Sequence, residues 1–358
     1  MSRGYNERIR DRNHMPALTG LRFVLALWVI LHHITGPHGM LESAALSLPG
    51  PLYTLVRGGY LAVTTFFVLS GFVLARSYAA TTWNGGSLLR YAAGRVARVY
   101  PVYLLSLFLV MPFIVADPAP HKNAMLAAHG FLVQAWLGRA PVSWNTPAWS
   151  LSCEMFFYAA FPLVLAAVAR TRWRGVLLTV ASACALTRLL WAAGVPDEIK
   201  PVIHLSDFLM GVAASRCYDL SRDRIHWPGS RLYVPAATAS AALIAWPRVL
   251  PPYIDLNTAL RPLNALLLIG LAIGGGMPAR ALSTKPAVYL GKSSYAMYIL
   301  HVPVLWWYAR WTGSASGLLY VAAVIAISAA VYRFIEEPAN RYLRRQLTPQ
   351  TSPHLMRV

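Results

Sequence analysis

Residues 17–36 read ALTGLRFVLALWVILHHITG, an apolar stretch of membrane-spanning length that nevertheless contains Arg22, His32 and His33. A transmembrane helix needs about 20 mainly apolar residues. A charged side chain near its centre costs roughly 2.5–3.5 kcal/mol even on the lenient insertion scale. Such a residue must face a partner or a polar cavity. The stretch therefore predicts a spanning helix whose polar side chains belong to a functional site.

The composition of the whole chain is that of a polytopic membrane protein. Of its 358 residues, 57% are hydrophobic and 13% are charged, which excludes an ordinary soluble domain. The net charge of +19 lies in short basic clusters between apolar runs, as the positive-inside rule predicts. A nucleic-acid-binding protein would gather that charge on one soluble face. We therefore predict a multi-pass protein of the cell membrane that contacts the lipid bilayer and binds no nucleic acid.

Hydropathy and charge predict an all-α transmembrane bundle of about ten spans with both termini in the cytoplasm. The predicted spans are 17–36, 59–79, 99–116, 149–169, 175–193, 202–217, 232–248, 259–277, 287–309 and 316–335. They define a membrane domain over 15–345, preceded by a cytoplasmic segment, 1–14, and followed by a disordered cytoplasmic tail, 346–358. The apolar segment 124–137 is short, and a span there would move every later basic cluster outside. We predict that it is re-entrant or interfacial.

Helical geometry separates the two histidines of the first span. Arg22 and His33 are eleven residues apart, so at about 100° per residue they share one face, roughly 16 Å apart along the axis. His32 points about 80° away from that face. Arg22 therefore lies near the cytoplasmic end of a polar stripe and His33 near its outer end, although a histidine that only reaches interfacial water would fit the pattern equally well.

Two other predicted spans carry ionisable groups at a depth similar to that of His33. Glu154 lies about one turn inside the outer end of the fourth span, with Ser150 and Tyr158 on the same face, and His301 lies in the outer half of the ninth. A carboxylate beside an imidazole fixes the tautomer of the ring and raises its basicity. The alternative is a structural ion pair that holds the bundle together.

The predicted cytoplasmic half is rich in arginine. Arg95 and Arg98 are three residues apart and share a face at the start of the third span, and Arg22 lies inside the first. The planar guanidinium group suits phosphate, which it binds through two parallel hydrogen bonds. These arginines predict a polyphosphate site at the cytoplasmic end of the helical bundle. The cluster of Arg170, Arg172 and Arg174 is explained by membrane topology alone and is assigned no site. The three cysteines show no metal-ligand spacing, and no metal site is predicted.

Six segments together resemble one family of membrane enzymes. They are LTGLRFVLALWVILHH (18–33), GGYLAVTTFFVLSGFVLARS (58–77), GRVARVYPVYLL (94–105), WSLSCEMFFYAAFP (149–162), YLGKSSYAMYILHVPV (289–304) and FIEEPANRYL (334–343). Their order and type are similar to those of the acyltransferase-3 family of membrane O-acyltransferases, over about residues 15–345. The chain resembles the stand-alone form, without the extracytoplasmic SGNH-type domain of longer relatives.

The resemblance implies transfer of an acyl group, often acetyl, from acyl-CoA to a hydroxyl of a sugar, a polysaccharide or lipid-linked glycan, or a natural product. It implies that Arg22 and His33 are the essential pair, Arg95 and Arg98 the cytoplasmic arginines, and Glu154 the acid of the fourth helix. Two positions depart from the family pattern. Thr19 stands where the family usually has aspartate, and an acidic residue is often found near Thr64, so the roles of those acids are not transferred.

The resulting hypothesis is an acyltransferase that uses acyl-CoA, in its simplest form acetyl-CoA, as co-substrate and has no permanently bound cofactor. The phosphates of the donor bind Arg22, Arg95 and Arg98, and His33, oriented by Glu154, acts as general base.

Three further residues of this hypothesis are Ser150, Tyr295 and His301, which are candidate contacts to the substrate or to the oxyanion. A covalent intermediate on His33 is an open variant. The rival hypothesis is a transporter or exporter whose intramembrane Arg, His and Glu relay protons or an anion, although the sequence shows no paired half-repeats of the kind common in transporters.

Overall fold

In the residues that the computed structural model describes, the protein is mainly helical and has no strand, and this confirms the predicted fold class. The described residues are 15–116, 122–137, 144–168, 171–194, 199–251, 254–313 and 316–347. The predicted N-terminal segment, 1–14, and all but the first two residues of the predicted tail lie outside these ranges.

Seventeen helices follow one another in the described part of the chain. In chain order they are α1 (Pro16–Ile34), α2 (Glu42–Leu46), α3 (Gly50–Arg57), α4 (Ala62–Tyr78), α5 (Gly85–Ala116), α6 (Lys122–Gly130), α7 (Trp149–Val168), α8 (Trp173–Ala192), α9 (Lys200–Ile203), α10 (Leu205–Ser221), α11 (Ser230–Ala245), α12 (Leu256–Ile273), α13 (Met277–Leu282), α14 (Lys285–Lys292), α15 (Ser294–Thr312), α16 (Gly317–Val331) and α17 (Glu337–Leu347). A π-helical turn, Tyr332–Glu336, joins α16 to α17.

Each predicted span overlaps one long helix. In the described residues, seven helical stretches are both long enough and apolar enough to cross a membrane. Large apolar side chains are exposed on the outside of the bundle, among them Phe108, Leu163, Leu178, Leu318 and Phe334. An exposed apolar belt of this kind is expected where a helix faces lipid rather than water. The number of spans and the side on which the termini lie stay predictions.

Close helix crossings in the core depend on glycine. A Cβ on Gly71 of α4 would collide with the carbonyl oxygen of Phe208, and one on Gly211 of α10 would collide with that of Val68. Small residues let the backbones of membrane helices approach in this way. The resulting α4–α10 contact fixes the position of α4, the most buried of the candidate spans, at the centre of the bundle.

The short apolar segment predicted as re-entrant or interfacial does not form a span. Helix α6 ends at Gly130, and a 3₁₀ turn, Gln134–Trp136, follows it. At about 1.5 Å per residue, nine helical residues cover less than half of the bilayer core. The segment folds back onto the bundle, where Tyr103 donates a 2.7 Å hydrogen bond to the carbonyl oxygen of His129.

Candidate active site

Three arginines predicted to bind phosphate line one cavity of about 270 Å³. Arg22 reaches it from α1, and Arg95 and Arg98 reach it from α5, so the two α5 arginines share a face as their spacing predicted. Val99 of α5 and side chains of α4, α7 and α15 complete the wall: Val63, Phe66, Phe67, Ser70, Val73, Leu74, Ser77, Ser150, Leu151, Glu154, Tyr158, Ser294, Tyr295 and Tyr298. We call this space the arginine cavity.

The guanidinium groups of the arginine cavity are unevenly neutralised. Within the described residues, Arg22 and Arg95 have no carboxylate at ion-pair distance, whereas Arg98 pairs with Glu336. The Nε of Arg95 is buried without a hydrogen-bond partner, and its guanidinium lies 5.6 Å from the ring centroid of Tyr158. Buried cations with unused donors are costly unless a ligand satisfies them. The cavity is therefore suited to an anion.

Glu154 lies in the arginine cavity. Its carboxylate accepts a 2.8 Å hydrogen bond from Tyr158, one turn further along α7, as the shared face of these residues predicted. It also interacts electrostatically with Arg22, Arg98 and Arg95. No hydrogen bond joins Glu154 to His33 in the described part of the chain. The orienting role expected of Glu154 toward His33 therefore stays a prediction, and the interactions that the structure shows for this carboxylate are with Tyr158 and the arginines.

The partner of His33 is His301. The Nδ1 of His33 lies 3.4 Å from the Nε2 of His301, and their ring centroids are 4.8 Å apart. His33 lies in the last turn of α1 and His301 in the buried first half of α15. We call these two residues the histidine pair. His32 contacts the carbonyl oxygen of Arg57. Its ring lies edge to face against that of His33, with the centroids 5.2 Å apart, so the two neighbouring histidines have different partners although their rings touch.

Backbone carbonyls determine which nitrogens of the histidine pair carry hydrogen. The Nδ1 of His33 lies 2.9 Å from the carbonyl oxygen of Val29, and the Nδ1 of His301 lies 2.7 Å from that of Tyr298. A carbonyl oxygen only accepts, so each Nδ1 is the donor. The Nε2 of His301 then has a lone pair that accepts from the Nδ1–H of His33. The Nε2 of His33 is left unprotonated, which is the state that a general base requires.

The three candidate oxyanion contacts already use their hydrogens. Ser150 donates to the carbonyl oxygen of Pro147 at 2.9 Å, and Tyr295 donates to that of Val99 at 2.6 Å. His301 donates through Nδ1 and accepts through Nε2, as described above. Ser150 and Tyr295 line the arginine cavity, and the ring of Tyr295 lies 5.2 Å from the guanidinium carbon of Arg98. The predicted oxyanion contacts stay predictions.

Tyr298 borders both parts of the site. It lines the arginine cavity, and its ring centroid lies 6.2 Å from that of His301. Phe66, which also lines the cavity, contacts Tyr298 edge to face at 5.9 Å. Neither His33 nor His301 is among the residues that line the cavity. Tyr298 therefore connects the wall of the arginine cavity to the ring of His301.

A second space lies beside the arginine cavity and shares Arg22 and Arg98 with it. This space, which we call the vestibule, has a volume of about 420 Å³. The rest of its lining comes from α1, α14, the π turn and α17: Thr19, Lys292, Tyr332, Glu336, Glu337, Asn340 and Arg341. The sequence predicted none of the α14, π-turn and α17 residues as site residues. The signal was available, because FIEEPANRYL (334–343) stood among the family segments.

The two departures from the family pattern lie at different places. Thr19 lines the vestibule, whereas Thr64 is buried and donates a 2.7 Å hydrogen bond to Asn257.

The intramembrane acid Asp207 belongs to neither cavity. It pairs with Arg261 at 2.5 Å and with His204 at 2.8 Å, so this buried group holds α10 against α12. No cluster of three metal-binding side chains occurs in the described residues.

Comparison with known proteins identifies the family of the chain. A family model described as "Acyltransferase domain", that of acyltransferase-3, matches residues 15–333. The chain is 29% identical to acyltransferase MdmB of Streptomyces mycarofaciens, over 95% of each protein. It is 22% identical to O-acetyltransferase OatA of Staphylococcus aureus, over 94% of this chain and 58% of OatA. It is 24% identical to peptidoglycan O-acetyltransferase OatA of Listeria monocytogenes, over 92% of this chain and 56% of that relative.

The chain belongs to the acyltransferase-3 family, and it is a multi-pass membrane enzyme of the O-acyltransferase class. It spans nearly all of MdmB but little more than half of the OatA proteins. No solved structure matches it. The family assignment supports the enzyme hypothesis over the rival hypothesis of a transporter or exporter.

Proposed function

We propose that the enzyme transfers an acyl group, most simply acetyl, from acyl-CoA to a hydroxyl of a glycan or of a natural product. The observation that carries this proposal is the convergence of Arg22, Arg95 and Arg98 on one cavity. Coenzyme A carries a diphosphate and a 3′-phosphate, and guanidinium groups bind such oxyanions by charge-assisted hydrogen bonds. Lys292 and Arg341 add two cations in the vestibule, where the nucleotide end of the donor enters.

The pantetheine arm of the donor then runs from the arginines past Phe66 and Tyr298 toward His33. Apolar and aromatic walls suit this uncharged arm, and burial excludes water that would hydrolyse the thioester. The length of the donor allows phosphates and thioester to occupy separate parts of the bundle. Binding and chemistry are thus divided between the arginine cavity and the histidine pair.

His33 acts as the general base for acyl transfer. Its Nε2 takes the proton of the acceptor hydroxyl while the hydroxyl oxygen attacks the thioester carbonyl, and a new carbon–oxygen bond forms. The carbon–sulfur bond then breaks, and the proton on His33 passes to the departing CoA thiolate. General-base assistance of this kind is typically worth about 10²–10⁴-fold. His301 positions the ring by accepting a hydrogen bond from its Nδ1–H.

Glu154 acts on the arginine side of this site. With Tyr158 as its hydrogen-bond donor, the carboxylate balances part of the positive charge of Arg22, Arg95 and Arg98. It keeps the guanidinium groups apart and oriented when the donor is absent. Glu154 is therefore proposed as a residue of the donor site rather than as the partner of the base.

A labelled-donor assay tests the proposal. Purified enzyme in detergent is incubated with acetyl-CoA labelled in the acetyl group, together with a peptidoglycan fragment, a lipid-linked disaccharide or a glycosylated natural product. We expect label to enter one of these acceptors with release of free CoA, and His33→Ala to abolish both. CoA release without any acceptor, equal in the wild type and His33→Ala, would contradict the assignment of the base.

The acceptor is identified by comparing a deletion strain with its parent. Mass spectrometry of cell-wall glycans and of secreted small molecules should reveal one compound that loses an acetyl group in the deletion strain. Restoration by the wild-type gene and not by His33→Ala links the loss to catalysis. An export defect would instead change the location of a compound without changing its mass.

A further inference from the structure

Glu336 is a buried carboxylate at the donor site that the proposed reaction does not use. Its side chain is 1% exposed, and it forms an ion pair with Arg98, which is 26% exposed. In the described residues, neither oxygen of Glu336 has a further hydrogen-bond partner. Burying a carboxylate without a counter-ion has a large desolvation cost. The ion pair with Arg98 is therefore what keeps the charged form of Glu336 stable in this buried position. Arg98 is therefore already neutralised in this structure, unlike Arg22 and Arg95.

The position of this pair places it in the path of the donor. Arg98 and Glu336 both line the vestibule, and Arg98 also lines the arginine cavity. A phosphate that binds the guanidinium of Arg98 must meet the carboxylate that already occupies it. Arg98 has further N–H groups, but a phosphate bound to them would lie close to the carboxylate of Glu336, and like charges at that distance repel. Phosphate binding is therefore favoured when the carboxylate withdraws.

The backbone around Glu336 provides a means of withdrawal. Glu336 ends the π-helical turn Tyr332–Glu336, which interrupts the helix between α16 and α17. A π turn contains one residue more than an α-helical turn, and such turns are frequent at functional sites. Conversion to α-helix changes the direction of a side chain by about 100°, the rotation of one helical residue. Lys292 and Arg341, which line the same vestibule, are cations that can receive a displaced carboxylate.

We infer that Glu336 is an internal competitor of the donor phosphates for Arg98. It holds the guanidinium in place in the ligand-free enzyme, lowers the affinity of the enzyme for the donor, and leaves Arg98 when acyl-CoA binds. This inference rests on the proposed function, because it requires a phosphate-bearing donor. It adds a residue that sets donor affinity and that makes no contact with the reacting atoms.

Calorimetric titration of CoA into the purified full-length enzyme tests the inference. We expect Glu336→Gln to bind CoA about tenfold more tightly than the wild type, an effect equivalent to about 1.4 kcal/mol. Glu337→Gln is the matched control, because it removes the same charge from the next residue of the same vestibule. Glu337 is 35% exposed and lies near Arg333 and Arg341, so its removal should produce a gain of about twofold or less.

A double-mutant cycle shows whether the gain passes through Arg98. Arg98→Ala should weaken CoA binding, and Arg98→Ala with Glu336→Gln should bind no better than Arg98→Ala with Glu337→Gln. Glu336→Asp provides a second single variant, since it keeps the charge but withdraws the carboxylate by one methylene. It should bind CoA with an affinity between those of the wild type and Glu336→Gln, even if the glutamine variant is unstable.

The outcomes separate this inference from the proposed function. A wild-type enzyme that binds no CoA would overturn both. A wild-type enzyme that binds CoA while Glu336→Gln and Glu336→Asp bind it equally or more weakly would overturn the inference alone, because Glu336 would then only position Arg98. If Glu336→Gln raised the affinity for CoA by the same factor in the Arg98→Ala background, the inference would also be overturned. The effect would then come from the overall charge of the vestibule and not from competition for Arg98.

Discussion

The arginine cavity and the histidine pair differ in how far their polar groups are already satisfied by the protein. The arginine cavity keeps an open volume whose guanidinium groups are incompletely neutralised, with Arg95 carrying a buried donor that has no partner. The histidine pair has no comparable freedom, because a backbone carbonyl fixes the hydrogen on each ring. A binding site needs charge that a ligand will satisfy, whereas a general base needs one nitrogen free and the other held.

This comparison also explains why the acid of α7 lies where it does. A carboxylate beside His33 would add a buried negative charge next to two uncharged imidazole rings, where Arg57 is the cation nearby. Among the arginines the same carboxylate is compensated by three cations. The neutral Nε2 of His301 performs the orienting task at lower desolvation cost, because burying an uncharged acceptor is cheaper than burying an ion.

The largest expected effect comes from removing the base. His33→Ala should lower kcat by about 10²–10⁴-fold, because it removes the nitrogen that takes the acceptor proton. CoA binding should change little, since the arginine cavity remains intact. Steady-state kinetics and calorimetry on the same preparation check both statements. A loss of CoA binding that parallels the loss of kcat would break the division between the two regions.

Removal of a cavity arginine should affect the other region. Arg95→Ala should raise KM for acetyl-CoA by about tenfold or more, since charge-assisted hydrogen bonds contribute roughly 1.5–3 kcal/mol. The matched control is Arg90→Ala, an exposed arginine on the same helix that lines neither cavity. If both variants raise KM equally, the effect belongs to the surface charge of α5 and not to the cavity.

The orienting contact of the histidine pair predicts a smaller, chemically selective effect. His301→Leu should lower kcat about tenfold while KM for acetyl-CoA stays constant, because the Nδ1–H of His33 loses its second acceptor and keeps only the carbonyl oxygen of Val29. His301→Gln should retain more activity, since its amide can accept from His33 and donate to the carbonyl oxygen of Tyr298. Comparable losses in the two variants would show that His301 acts by packing alone.

The smallest predicted effect tests whether Glu154 acts in donor binding or in orienting the base His33. Glu154→Gln should leave kcat within about twofold of the wild type and lower KM for acetyl-CoA by roughly two- to fivefold, because a negative charge leaves the donor site. The glutamine oxygen can still accept from Tyr158. A large fall in kcat at constant KM would instead return Glu154 to the histidine side and refute the division drawn from the structure.

Relations within one helix were predictable from the sequence. Eleven-residue spacing placed Arg22 and His33 on one face, and both now face α15, Arg22 across the cavity and His33 through His301. The i, i+4 relation of Glu154 and Tyr158 and the shared face of Arg95 and Arg98 were likewise correct. Helical periodicity is sufficient for such relations, because it depends on local backbone geometry alone.

Relations between helices required the tertiary structure. The sequence by itself determined an all-helical membrane protein, its family and the residues that carry charge within its spans. Only the fold decided that His301, 268 residues from His33, is its partner, that Glu154 turns to the arginines, and that Glu336 occupies Arg98. In a bilayer the faces that pack and the faces that meet lipid are both apolar, so the pattern of hydrophobic residues does not encode how each helix is rotated. Close glycine crossings and buried polar contacts set that rotation, and they exist only once the helices have come together.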